Sequence, residues 1–237
     1  MGKNLIQQAR GKGSPRYKVP SFRFKTDGKL KSLKKELVNG KITDMLSCQG
    51  HSAPIIKVKY DDGEQKLMIA PEGVRVGENI SAGNGASAET GNILTLKEIP
   101  EGTFIFNIES QPGDGGKFCR ASGNTARLLT KTSKYATVLL PSKKQRKFHV
   151  NCRAMIGTIA GGGRTEKPIL KAGIMHFKKK AKNKLYPRTG GSKMNAIDHP
   201  FGNKRSARKA KQKPVSRFAP PGRKVGKLAA KRTGKRK

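Results

Sequence analysis

The 237-residue sequence predicts a mainly β protein: two small barrels joined by a short linker and flanked by long basic extensions. Three observations lead there. Apolar residues in the middle of the chain recur with period two, the spacing of a half-buried strand. Turn-forming residues cut that middle into short segments, and a glycine count of 28 favours turn-rich β structure over a helical bundle or a parallel sheet with crossover helices. Charge is segregated: of a total of +37, residues 1–35 carry +10, residues 36–173 only +6, and residues 174–237 carry +21. A near-balanced middle condenses, whereas tails this self-repulsive stay extended until a polyanion neutralises them.

Residues 1–35 are the basic N-terminal extension, in which Gly, Pro and Ser are scattered between cations, as in Arg10-Gly11-Lys12-Gly13-Ser14-Pro15-Arg16. Residues 36–82 form the first barrel. There Ile56, Val58 and Tyr60 alternate with lysines, Asp61-Asp62-Gly63-Glu64 supplies a turn, and residues 65–70 return as the second arm of a hairpin. Residues 73–77 read as a further strand. The small-residue run at 81–88 marks a linker, placed at 83–90. Residues 91–173 form the second barrel, with strands at 93–98, 103–109, 126–130, 135–140, 146–150 and 155–160, separated by turn chemistry at 111–116 and 141–144. A single larger barrel is the alternative. Residues 174–237 are the basic C-terminal extension, which has no amphipathic helix and includes Pro220-Pro221-Gly222-Arg223-Lys224.

Several classes of function are excluded. No apolar run approaches a membrane span, the N-terminus lacks a secretory apolar core, and neither tail has the apolar face a lipid surface requires, so no membrane partner is expected. Cys48, Cys119 and Cys152 are odd in number and far apart, which argues against a disulfide framework and for a reducing cytoplasm. Gly83-x-Gly85-x-x-Ala88 lacks the helix a dinucleotide fingerprint must open, and no P-loop pattern occurs. Cys48-x-x-His51 is half a zinc site at most. No nucleophile motif is present, so no enzymatic activity and no cofactor are expected; magnesium in such a setting belongs to RNA, since nothing builds a protein cage for it.

What remains is cation interleaved with aromatic residues and glycine: Arg16-Tyr17-Lys18, Phe22-Arg23-Phe24-Lys25, Gly161-Gly162-Gly163-Arg164, His176-Phe177-Lys178, Tyr186-Pro187-Arg188 and Arg217-Phe218. Cations supply sequence-independent affinity for phosphate and aromatic faces stack on exposed bases. The candidate RNA-binding residues on this reading are Arg10, Arg16, Tyr17, Arg23, Lys25, Arg164, His176, Lys178, Arg188, Phe201, Arg205, Arg208, Arg217 and Arg223.

Two segments carry a more specific signal. One is Lys117-Phe118-Cys119-Arg120-Ala121-Ser122-Gly123-Asn124-Thr125-Ala126, with residues 135–142 and 151–157 after it; the other is Gly190-Gly191-Ser192-Lys193-Met194-Asn195-Ala196-Ile197-Asp198-His199-Pro200. Together with the opening at residues 4–17 and Arg23-Phe24-Lys25, they resemble the universal large-ribosomal-subunit protein family L-two in its archaeal form, over essentially the whole chain. The resemblance implies an oligonucleotide-binding (OB)-type barrel followed by an SH3-like barrel, with both extensions threading into large-subunit rRNA near the peptidyl-transferase region. It implies support of subunit association and translation, with neighbouring ribosomal proteins and the small subunit as further partners. It also implies an RNA-facing loop at Arg120, Ser122, Gly123 and Asn124 with Arg153 close by, and an ordered segment holding Asn195 and His199. Where the family continues with a second histidine and a run of glycines, this chain has Phe201-Gly202-Asn203-Lys204-Arg205. The rival readings are His199 as a participant in peptidyl transfer and a free-standing nucleic-acid chaperone or chromatin-like protein.

Overall fold

The structure is a computed structural model that describes residues 2–32, 36–202 and 213–230. The chain divides into two units, Ser21–Ile169 and a second made of Met1–Pro20 with Leu170–Lys237.

The first unit is mainly β. Its strands are β1 (Val38–Leu46), β2 (Ile55–Tyr60), β3 (Gln65–Ile69), β4 (Asn79–Ala82), β5 (Ile93–Thr95), β6 (Phe104–Phe106), β7 (Ala126–Lys131), β8 (Tyr135–Leu139), β9 (Gln145–His149) and β10 (Arg153–Ile156). They form one mixed sheet in the order β3-β2-β1-β4-β5-β10-β6-β7-β8-β9. Adjacent strands pair antiparallel except at β4–β5, where Ala82 and Ile93 pair parallel.

Apolar residues on this sheet form two cores. Ile42, Ile55, Val58, Tyr60, Met68, Ile69 and Ile80 build the first. Leu94, Leu96, Ile105, Leu128, Val138, Phe148 and Cys152 build the second. Alternation across the central strands links them: on β5 Ile93 enters the first core and Leu94 the second, and on β6 Phe106 and Ile105 divide in the same way. Strand β10 is buried at every position, with Met155 in the first core and Ala154 and Ile156 in the second. Residues 83–90 therefore turn the chain from β4 into β5 within one continuous sheet.

The hairpin expected at 56–70 is β2–β3, paired from Ile55↔Ile69 to Lys59↔Gln65. Residues 73–77, read from sequence as a strand, are instead a turn, with φ of +86° at Gly73 and +97° at Gly77. The Gly77 N–H donates to the Ile42 carbonyl at 2.8 Å, and the Glu78 carboxylate accepts from the Arg75 N–H at 3.0 Å. Strand β1 escapes the period-two reading because one of its inward positions is Gly40, over which the Tyr60 ring lies; a Cβ there would meet Tyr60 Cδ1 at 2.6 Å.

Part of the basic N-terminal segment belongs to this β unit. Leu30 is buried, and its N–H donates to the Gly115 carbonyl at 2.9 Å. Lys31 is 1 % exposed. Its Nζ donates to Asp62 Oδ2 at 2.6 Å and Glu64 Oε2 at 2.9 Å, and lies 4.3 Å from the Tyr60 ring centroid. A buried ammonium persists only with such compensation.

The second unit holds α1 (Ile6–Gly11), α2 (Ala172–Lys180) and short 3-10 turns. Neither helix is visible as apolar periodicity. Gln8 Oε1 accepts the Leu5 N–H at 2.7 Å at the start of α1, and Lys178, Lys179 and Lys180 complement the dipole at the end of α2. The Lys3 N–H donates to the Ile197 carbonyl, and Asn183 Nδ2 bridges the Arg16 and Lys18 carbonyls at 2.6 and 2.7 Å. Among the described residues of this unit, Leu5 and Val225 are the buried apolar side chains, so hydrogen bonds and turns do more here than a core. No described helix is long and apolar enough to cross a membrane.

The Lys31 site generates a stability prediction. Burial opposes ionisation of Glu64, but the Ser32 hydroxyl, Lys31 and Lys66 outweigh it and hold the carboxyl at about 2. A depressed carboxyl contributes stability above its ordinary value, and the contribution is lost as pH falls through the folded value. Acid unfolding followed by circular dichroism should therefore steepen between about pH 4.5 and pH 2. Lys31→Met should cost about 2–3 kcal/mol at neutral pH and flatten that limb.

Candidate nucleic-acid interface

Within the β unit three loops converge: the β1–β2 loop around Ser52, the β6–β7 loop containing residues 119–124, and the chain after β10 around Gly162. The β6–β7 loop starts at a carboxylate. Glu109 is fully buried, and its Oε1 accepts from Arg153 Nη2 at 2.7 Å, Arg153 Nε at 3.2 Å and the Gly115 N–H at 3.1 Å. Its Oε2 accepts from the Gly113 N–H at 3.2 Å and the Arg153 N–H at 2.9 Å. Asp114 then accepts N–H bonds from Ser110, Gln111 and Gly116. Burial raises the Asp114 pKa, but these amides and Lys117 outweigh that and hold the carboxyl below its ordinary value. Both carboxylates are spent on organising the loop.

Past Cys119, which adopts a left-handed φ of +52°, the loop carries the expected RNA-facing residues. Gly123 is exposed, Asn124 is half-buried, and Ser122 is buried at 7 %. The Ser122 N–H donates to Ser52 Oγ at 3.1 Å, while Ser122 Oγ accepts from Arg164 Nε at 2.7 Å. Gly123, at φ +70°, packs directly on Gly162: a Cβ there would lie 2.5 Å from Gly162 Cα. The structure thus brings Ser122 and Gly123, which the resemblance puts in one loop, against Arg164 and Gly162 of a separate glycine-rich turn, and adds Ser52.

Two arginines sit differently from the expectation. Arg153 is 8 % exposed; its Nη1 donates to the Lys31 carbonyl at 2.9 Å and its other donors face Glu109. Arg153 is thus an interior clamp behind the loop. Arg120 is half-buried, and its Nη2 donates to the Asp27 and Gly28 carbonyls, pinning residues 27–28 to the loop. Its Nε is buried with no protein partner. Burial lowers its pKa, against the pull of Asp27. Arg23 and Lys25, in the same unit, are exposed.

In the second unit, Arg16, His176, Lys178, Arg188, Asn195, Arg217 and Arg223 are exposed. The Arg10 guanidinium lies 5.6 Å from the Tyr17 ring centroid, and His176 meets Phe177 edge-on at 5.6 Å. His199 is half-buried and packs against Phe201, ring centroids 5.0 Å apart. Its Nδ1 accepts the Phe201 N–H at 3.1 Å, which leaves the ring proton on Nε2. Phe201 therefore gives the imidazole a ring and an amide to lean on at the point where the sequence departs from the expected pattern. Arg205 and Arg208 lie outside the described residues.

Cys48 and His51 do meet, Sγ to Nδ1 at 3.3 Å, but among the described residues no three potential metal ligands cluster. Burial pushes the Cys119 and Cys152 thiols up to about 11.

Sequence reasoning overlooked a charge boundary inside the β unit. Residues 36–114 hold six Lys and Arg against twelve Asp and Glu, a net −6, while residues 115–173 hold thirteen against one, a net +12. The near-balanced middle is in fact two halves of opposite sign. Lys143, Lys144 and Lys147 on the positive half are exposed, and Arg146 lies 4.4 Å from the Phe118 ring centroid. The signal was legible as the disappearance of acids after Asp114.

Comparison with known proteins bears on the whole length. A family model described as Ribosomal Proteins L2, C-terminal domain, matches residues 89–219. The chain is 50 % identical over 237 residues to the large ribosomal subunit protein uL2 of Archaeoglobus fulgidus, covering 100 % of both chains. It is 48 % identical to the uL2 of Natronomonas pharaonis, covering 99 % of this chain and 97 % of that one. It is likewise 48 % identical to the uL2 of Methanocella arvoryzae, covering 99 % of each.

The loop geometry separates two effects. Gly123→Ala forces strained backbone and parts the loops, and should lower stability by about 1–3 kcal/mol in thermal unfolding. Arg164→Gln should leave stability within about 0.5 kcal/mol yet weaken RNA binding in a filter assay.

Proposed function

Because the chain belongs to the uL2 family of large ribosomal subunit proteins, and so is a structural component of the ribosome and not an enzyme, we propose that it binds large-subunit rRNA near the peptidyl-transferase region and supports subunit association and translation. The observation that carries this reading is the match at 50 % identity over the full length, basic ends included. The charge layout supports it: with +10 and +21 on the terminal segments and +12 on residues 115–173, twelve of the fifteen acids fall within residues 36–114.

In this reading the β unit comprises an OB-type barrel over 36–82 and an SH3-like barrel over 91–173, joined at 83–90. Two separate apolar clusters support two cores, with Ile93, Phe106 and Met155 of the second segment completing the first. Apart from Leu30 and Lys31, which are buried in the β unit, the extensions at 1–35 and 174–237 follow grooves of phosphate, with Arg16, Arg188, Arg217 and Arg223 as exposed contacts. Ser122, Gly123, Asn124 and Arg164 face RNA, while Arg120 and Arg153 hold the loop from behind. His199 hydrogen-bonds or stacks, and does no acid–base chemistry. Neighbouring ribosomal proteins and the small subunit are the further partners, and magnesium at the interface belongs to the RNA.

Binding is driven by counterion release, so each neutralised phosphate steepens log affinity against log salt by ~0.7 to 0.9. Sedimentation through high salt tests the assignment directly. The protein should travel with the large subunit; bulk protein outside ribosomes, with no preference for rRNA over DNA, would mark a free-standing chaperone instead.

A further inference from the structure

Strands β6 to β9 present an outward face that none of the contacts above uses. Pairing sets Phe104 beside Arg127, Arg127 beside Leu139, and Leu139 beside Gln145. Further along the same face Thr137 lies beside Lys147 and Tyr135 beside His149. Side chains alternate across a strand, so the opposite face carries Ile105, Ala126, Leu128, Ala136, Val138 and Phe148, all buried in the second core. On the outward face Phe104 is 53 % and Tyr135 51 % exposed. Arg127, Lys147 and His149 are exposed between and beside them, and the Tyr135 and His149 rings meet edge-on at 6.4 Å.

Two large aromatic side chains are left half in water on this face, and the charge around them is mainly positive, the nearby acid being Glu101, whose carboxylate accepts the Lys131 N–H at 2.6 Å. None of the four strands contains Asp or Glu, and residues 115–165 hold eleven Lys and Arg with no acid at all. An acidic peptide would satisfy the charge but offers no flat face for the rings. A nucleic-acid duplex offers charge but keeps its bases stacked inside, whereas an unpaired strand offers phosphates and bare base faces together. We propose that this face is a platform for unpaired RNA nucleotides, with bases stacked on Tyr135 and Phe104 and phosphates neutralised by Arg127 and Lys147. It rests on the rRNA-binding reading and adds to it a surface and a class of RNA.

The full chain contains no tryptophan, so Tyr135→Trp installs a single fluorophore on the platform, and Val76→Trp, at an exposed turn of the acidic half, serves as its counterpart. Each variant is titrated at elevated salt with a short oligoadenylate, with the same strand annealed to oligouridylate, and with polyglutamate, while filter retention reports total RNA bound. The single strand should quench the Tyr135→Trp variant about two-fold, with little change for the duplex or for Val76→Trp. Tyr135→Ala should weaken oligoadenylate binding about tenfold, and Tyr135→Phe, which keeps the ring, should retain it. RNA retained on the filter without quenching of the Tyr135→Trp variant would overturn the platform while leaving rRNA binding intact. Equal quenching by duplex, or quenching by polyglutamate in place of RNA, would overturn it too. No retention of any RNA would instead bring down the rRNA-binding reading beneath it.

Discussion

The fold of the β unit turns on one buried carboxylate. Glu109, with no exposed surface, takes five hydrogen bonds, three from Arg153 and two from backbone amides of its own loop. A charge at that depth is tolerated only when every lone pair is met, and the geometry meets them with a charged fork and fixed N–H groups. The pair fixes three things together. It ties the chain just after β6 to β10, one of three strands shared by both cores. It folds residues 110–116 so that the Gly115 carbonyl can receive the Leu30 amide. Through Arg153 Nη1 it also holds the Lys31 carbonyl, and with it the lysine that closes on Asp62 and Glu64. The loop bearing Ser122 and Gly123 is the continuation of this arrangement.

Charge is placed as economically as the hydrogen bonds. Several acids of the β unit do structural work, as at Asp62, Glu64, Glu109 and Asp114, and twelve of the thirteen in residues 36–173 fall at or before Asp114. The remainder of the β unit and both terminal segments are left almost without negative charge. A polyanion therefore meets one strongly positive half of a folded body, while the other half, residues 21–114, is close to neutral. That polarity orients binding before any individual contact forms, because the protein's summed field acts at longer range than a hydrogen bond.

How much of this was legible in the sequence depended on how local the cause was. The β2–β3 hairpin was plain because Ile56, Val58 and Tyr60 alternate beside an Asp-Gly turn, and β7, β8 and β9 were visible as short strands, the last two cut apart by Pro141-Ser142-Lys143-Lys144. Strand β1 was hidden because the Tyr60 ring fills the place of a side chain at Gly40. Residues 73–77 misled because two glycines with positive φ leave the valines between them looking like strand. The family motifs located the Ser122–Asn124 loop, yet Arg153 read as an RNA contact because its partner lies 44 residues away. Lys31 read as tail charge, since only the fold brings Asp62 and Glu64 around it. The short helices of the terminal segments left no periodic trace, because they bury almost nothing.

The loop, β10 and Lys31 all depend on Glu109, and hydrogen exchange in Glu109→Gln tests that dependence most directly. Glutamine keeps the shape, removes the charge and leaves one accepting oxygen for donors that had two. Exchange at Gly113, Gly115 and Leu30 should accelerate by roughly tenfold or more, one broken charged hydrogen bond, while amides in the β1–β2 pairing keep their protection. Unchanged protection at those three amides, or uniform loss across the whole β unit, would contradict it.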